Sequence, residues 1–206
     1  NYKNNLLETA VVCDAVATPL KVIKKARISS FDKVGVIGAG GGLGIHMLKM
    51  LKLNNISAIG IDTKTEKFNT CNENGAEFSV SPMENDLKNK IADFSKSNDL
   101  DVVIDFVSSK SSLELGCSIL GKGGRLVTLG GSGEQFLANS ADMLVKELEL
   151  IGSRYCTKQE LKESLDLYAR GLIEPLVSVK TDFDGAEGLH DKIEKGEIIG
   201  RAGILI

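Results

Sequence analysis

The sequence has no CxxC pair: its four cysteines stand far apart at positions 13, 71, 117 and 156. That spacing excludes a zinc knuckle and offers poor support for a disulfide framework, so a reducing cytoplasm is the natural compartment. No apolar run approaches the ~20 residues of a membrane span, and no membrane association is expected. Positive charge is not in excess either. The formal net charge is −3, and no basic patch argues for nucleic acid. The opening residues, Asn1 to Glu8, are polar and lack the apolar h-region of a signal peptide. They also lack an initiating methionine and read as an internal segment of something longer. There is no internal repeat and no low-complexity stretch. What is present is ordinary globular composition, with 42% hydrophobic and 26% charged residues.

Short β-branched or apolar runs alternate with longer segments of helical period. The strands read as Lys33–Ile37, Ser57–Ile61, Glu77–Val80, Val102–Phe106, Arg125–Leu129 and Leu148–Ser153. Helices are expected at 43–52, 64–74, 84–97, 110–120 and 140–147. Val102-Val103-Ile104 and Leu126-Val127 are apolar on both faces, as strands of a parallel sheet covered on both sides are. The alternation predicts an α/β fold with a doubly wound, parallel six-stranded sheet of the Rossmann type, followed by a C-terminal helix/strand segment. Gly75 closes the second helix, and Gly121, Gly123 and Gly124 are expected to turn into the fifth strand. Leu6 to Ala26 reads as helix, with Thr18-Pro19 marking a break or a fresh start. The tail continues as helix 158–170, strand 176–180, helix 184–195 and strand 202–206. The resulting division is 1–27 leading helices, 28–155 dinucleotide-binding domain and 156–206 C-terminal segment.

A strict G-x-G-x-x-G is missing in every register. In its place, Gly38, Gly41, Gly42 and Gly44 form G-x-x-G-G-x-G between a strand and a helix, the context a dinucleotide fingerprint needs. Glycines there let the backbone approach a pyrophosphate, while the unpaired N–H groups of the helix start point at it. A glycine loop alone is weak, because flexible strand-to-helix turns are common. Asp62 strengthens it: the residue ends the second strand about 20 residues past the loop, where a ribose-binding carboxylate belongs. A carboxylate there accepts from both ribose hydroxyls and repels a 2′-phosphate, favouring NAD over NADP. Lys64 and Lys67 lie close by, and Asp62 or Thr63 alternatively serves as a helix cap.

These residues resemble the medium-chain zinc-dependent alcohol dehydrogenases along almost the whole chain. Gly38-x-x-Gly41-Gly42-Leu43-Gly44, Asp62-x-x-x-x-Lys67 with Asn74-Gly75-Ala76, and Val103 to Val107 fall in that family's order. So do Gly123 to Val127, Leu150 to Ser153 and Gly200 to Leu205. The resemblance implies NAD as cofactor, held by the four loop glycines, Asp62 and Lys67. Leu43 would lie behind the nicotinamide, Phe106, Val107, Leu129, Gly130 and Gly131 would line its ring, Arg201 would reach the pyrophosphate, and Thr18 would touch the nicotinamide side. Cys13 matches the last catalytic zinc ligand. By composition alone it reads as a small buried helix residue, and the rest of the zinc site and the catalytic residues have no counterpart in this sequence. The implied activity is hydride transfer between a small-molecule alcohol and its aldehyde or ketone, with pairing into homodimers or homotetramers through the edge strand near Leu148–Tyr155.

The remaining candidates have plain readings. His46 and His190 are the only histidines; both are expected to face solvent, and neither is a plausible zinc ligand. Cys71 and Cys117 fall on apolar helix faces, and Ser108–Ser112 caps a helix start. Rival readings are a zinc-free reductase of the same superfamily, a non-catalytic NAD(H)-binding module, and an S-adenosylmethionine methyltransferase. An antiparallel terminal hairpin would support the last.

Overall fold

The structure, a computed structural model, describes residues 5–97 and 99–205. Residues 1–4 of the expected leading segment and Ile206 of the expected closing strand lie outside the described residues. The chain opens with α1 (Leu6–Val11), a π-helical turn (Val12–Val16) and α2 (Ala17–Lys25). The break expected at Thr18-Pro19 is therefore a wide turn just upstream. Pro19 itself fits in the first turn of α2, where a missing N–H costs nothing.

Six strands follow: β1 (Val34–Ile37), β2 (Ala58–Ile61), β3 (Ser79–Val80), β4 (Leu100–Asp105), β5 (Leu120–Thr128) and β6 (Glu149–Gly152). They form one sheet in the order β3-β2-β1-β4-β5-β6, and every pair in it is parallel. No antiparallel pair occurs among the described residues of this sheet, which removes the feature a methyltransferase would have shown. β1 and β2 are buried along their whole length, as two-sided apolar strands require.

Between the strands lie α3 (Gly44–Leu53), α4 (Phe68–Glu73), α5 (Leu87–Ser95), α6 (Lys110–Ser118) and α7 (Ser140–Lys146). Two expectations shift here. The helix expected over 64–74 opens as a 3₁₀ turn, Thr65–Lys67, and the one over 84–97 shortens because a backbone turn closes from Ser81 to Glu84. A third concerns the Gly121–Gly124 stretch. Leu120 already pairs with Leu100, and Arg125 pairs with Val102, so the glycines form an irregularity inside β5 instead of a turn before it.

One core layer packs Val22, Ile45, Leu48 and Leu51 of α2 and α3 against Val34, Val36, Val102 and Ile104. The opposite layer packs Ile91, Phe94 and Leu113 of α5 and α6 against Ile59, Val103 and Leu126. Each fully buried aliphatic side chain contributes roughly 1.5–3 kcal/mol, so the sheet's position is set by these two layers. A third cluster seats α8 (Lys158–Ala169) on the π-turn through Val12, Val16, Met50 and Tyr168. The tail then forms β7 (Val177–Thr181), α9 (Ala186–Glu194) and β8 (Arg201–Ile204), with β7 and β8 as a separate parallel pair. No described helix is long and apolar enough to cross a membrane.

Candidate dinucleotide site

The sheet's order reverses between β1 and β4, and at their C-terminal ends a cleft opens of the kind where such sheets collect ligands. Two adjoining hollows, about 420 and 350 Å³, meet at Leu43, which lines both. That is the scale of a small-molecule site. The first is lined by Gly38, Gly41, Gly42, Gly44, Asp62, Lys67, Phe106, Val107 and Arg201, and the second by Thr18, Leu129, Gly130 and Gly131. All fourteen residues that the sequence singles out for a cofactor thus share one groove. A hollow of about 480 Å³ between α2, α3 and α8 lies away from the strand ends and gathers none of them.

The glycines are dictated by close approach. A Cβ at Gly44 would collide with the carbonyl oxygen of Gly38, and one at Gly42 would lie 2.8 Å from Nε of Arg201. The loop thereby folds tightly into the first turn of α3, whose amides have no acceptors within the helix.

Asp62 is nearly buried. Its Oδ2 accepts from the Gly40 N–H at 2.9 Å and its Oδ1 from the Lys64 N–H at 3.0 Å. It therefore both shapes the local turn and holds the glycine loop. An ionised carboxylate has about four acceptor positions, so capacity remains for hydroxyl donors from the cleft. Thr63 is exposed and provides no side-chain cap. Lys67 is buried; its stem lies against Gly40 and its ammonium donates to the Ile198 carbonyl at 2.9 Å.

Arg201 reaches over Gly42 and forms an ion pair with Asp14, which also accepts from the Thr18 hydroxyl at 3.3 Å. Its Nε is buried without a hydrogen-bond partner. A guanidinium with a donor to spare beside a glycine loop suits an anion. These features fit a dinucleotide.

Three contributors went unread in the sequence. His46, expected to face solvent, is fully buried. Its Nδ1 bonds the Gly42 carbonyl at 2.7 Å, and its Nε2 accepts from the Leu176 N–H at 3.0 Å. Burial in the main, with Lys49 and Arg201 adding to it, lowers its pKa from 6.5 to about 4. The reason for the miss is that α3 is buried around nearly its whole circumference, so its one imidazole lies inside. The second is Asp105, fully buried at the end of β4, which accepts from the Val107 and Ser108 N–H groups and from the Ser112 hydroxyl. It fixes the turn carrying Phe106 and the exposed Val107. The Ser108 hydroxyl then receives the Gly130 N–H at 2.8 Å, tying the fourth strand's loop to the fifth's. The third is Asp14 itself, the residue after Cys13, which lines the second hollow. Ser109 and Ser112 form the expected capping box on α6. His190 is exposed, Cys71 is buried, and Cys117 is half-buried.

Cys13 is exposed, and its thiol donates to the Thr9 carbonyl at 3.3 Å. Among the described residues no three His, Cys, Asp or Glu side chains gather as a metal-holding group. The described donors of this chain alone do not make a zinc site.

Sheet order, glycine loop and strand-end groove define a doubly wound α/β domain of the Rossmann type. The chain belongs to the zinc-binding dehydrogenases: that family's sequence model matches residues 42–170. It is 25% identical over 192 residues, 93% of this chain and 55% of the relative, to an NAD-dependent alcohol dehydrogenase of Sulfurisphaera tokodaii. It is 27% identical over 183 residues, 86% of this chain and 53% of the relative, to an acryloyl-coenzyme A reductase of Metallosphaera sedula. Among solved structures, an acetophenone reductase of Geotrichum candidum in complex with NAD superposes with a TM-score of 0.84 at 29% identity. That match covers 98% of this chain and 57% of the other. The chain spans about half the length of the curated relatives it matches.

Proposed function

We propose that this chain binds NAD in the paired hollows and supplies the cofactor-binding part of an oxidoreductase that interconverts an alcohol and its aldehyde or ketone. The observation that carries this reading is the Asp62 carboxylate, which lines the groove and is held by the glycine loop's own N–H. It gives ribose hydroxyls an acceptor and would repel a 2′-phosphate. Support comes from relatives named as NAD-dependent alcohol dehydrogenase and from a neighbour that holds NAD. Bound NAD would supply the hydride acceptor. The chain's own part is to bind and orient: Gly41, Gly42 and Gly44 admit the pyrophosphate, Arg201 offsets its charge, and Leu43, Phe106 and Val107 give the rings an apolar wall.

Zinc dependence is a further part of the proposal. Cys13 would give one thiolate to a site whose other ligands come from outside this chain. In the same reading, residues 1–27 lead in from a catalytic domain, 28–155 form the NAD domain and 156–206 pack back toward that catalytic part. The partners are a small-molecule alcohol or carbonyl compound and a second copy of the chain joined along β6. Four free cysteines suit the cytoplasm. The second reading is a zinc-free reductase, whose reductase part alone is supported by the relative named acryloyl-coenzyme A reductase.

Parallel titration with NADH and NADPH, read by nicotinamide fluorescence, tests the first reading. Expected is NADH binding at least about tenfold tighter, a difference of about 1.4 kcal/mol. A folded chain that binds neither cofactor would overturn it.

A further inference from the structure

The hydrogen bonds around His46 form a closed circuit. Its Nδ1 lies 2.7 Å from the Gly42 carbonyl oxygen, which only accepts, so Nδ1 carries the proton. Its Nε2 faces the Leu176 N–H at 3.0 Å, which only donates, so Nε2 is bare. One neutral tautomer satisfies both bonds, and both ring nitrogens are used. The Leu176 carbonyl in turn receives the Arg201 N–H at 2.9 Å. Arg201 then extends back until its guanidinium rests on Gly42, where the circuit began. The ring thus joins the glycine loop to the segment that carries the groove's cation, across 130 positions of chain.

On the reading that this groove takes NAD, we infer that His46 is a positioning residue for the dinucleotide. Its imidazole sets the distance between the glycine loop and β7, and through β7's pairing with β8 it sets where Arg201 stands over the loop. The His46 ring lines neither hollow, and its bond to Leu176 acts on the groove through Arg201. Two neighbouring ties, Gly200 N–H to the Gly40 carbonyl and Lys67 to the Ile198 carbonyl, hold the residues just ahead of Arg201. The loss of His46 should therefore weaken the arrangement without dissolving it.

Two substitutions separate its two bonds. In His46→Asn the amide N–H takes the place of Nδ1, and nothing reaches Leu176. In His46→Gln the amide oxygen reaches the place of Nε2 and accepts from Leu176. With the whole chain, NADH affinity is measured for wild type, both variants, Arg201→Ala and the His46→Asn/Arg201→Ala pair, alongside hydrogen exchange at the Leu176 and Gly200 amides. Expected for His46→Asn is a loss of about three- to tenfold in NADH affinity, the scale of one buried hydrogen bond. Faster exchange at Gly200 as well as Leu176 should accompany it, and His46→Gln should recover most of both. In the Arg201→Ala background the His46→Asn loss should vanish, because the two act in series. Additive losses in the cycle, or unchanged exchange at Gly200, would show His46 to be mere filling and overturn the inference. A wild-type chain that binds no NADH defeats the functional reading instead, a result separate from either of those.

Discussion

Gly44 shows how one hydrogen atom in place of a methyl group decides whether the groove exists. Its α-carbon sits under the Gly38 carbonyl, so Gly44→Ala must push the loop away from α3. The expected outcome is a stability loss of roughly 1–3 kcal/mol, the usual result of overpacking, together with NADH binding weakened well beyond tenfold. Thermal unfolding and the fluorescence titration read the two effects, and an alanine variant that binds like wild type contradicts the assigned role. His46 gives a second residue-scale expectation, this time in pH. Its pKa falls from 6.5 to about 4 on folding, chiefly through burial. A depressed folded pKa means the neutral ring's contribution is fully present above about pH 6.5 and is lost as pH falls toward 4. The linked free energy is on the order of 3 kcal/mol. Urea unfolding at pH 7.5 and 4.5 should show a larger acid loss for wild type than for His46→Gln; equal losses would place the acid sensitivity elsewhere.

The elements were legible where a single physical rule dominated. β1, β2 and β4 are short, β-branched and bounded by glycine or polar turns, and each falls within two residues of where its apolar run predicts it. The capping serines of α6 announce that helix by chemistry that is wholly local. What stayed hidden depends on partners far away in the chain. Nothing in Val12–Val16 announces a π-turn; the cluster that seats α8 on it is a tertiary fact. The glycines at 121–124 read as a turn because their pairing with β4 cannot be seen locally. The groove divides the same way. Its glycines and Asp62 follow from spacing, whereas the Asp14–Arg201 pair, the buried Asp105 and the His46 circuit join residues that no periodicity connects.

At the scale of the molecule, β6 is the sheet's outermost strand, with β5 on one side only. Leu150 on β6 and Leu144 and Val145 on the neighbouring α7 are exposed. An apolar open edge invites pairing with another strand. Sedimentation should therefore show the chain associating into dimers at micromolar concentration, and Leu150→Lys should shift it toward monomer. A wild-type chain that remains monomeric would remove β6 from the proposed interface. The groove's own geometry carries a consequence for the order of events in folding. The ion pair that places Arg201 joins positions 187 residues apart. Contacts that distant close slowly, after local and neighbouring strands have paired. The chain should therefore pass through a species whose sheet and glycine loop are complete while its cationic arm is still unplaced, and ligand capture becomes the last competence the polypeptide acquires.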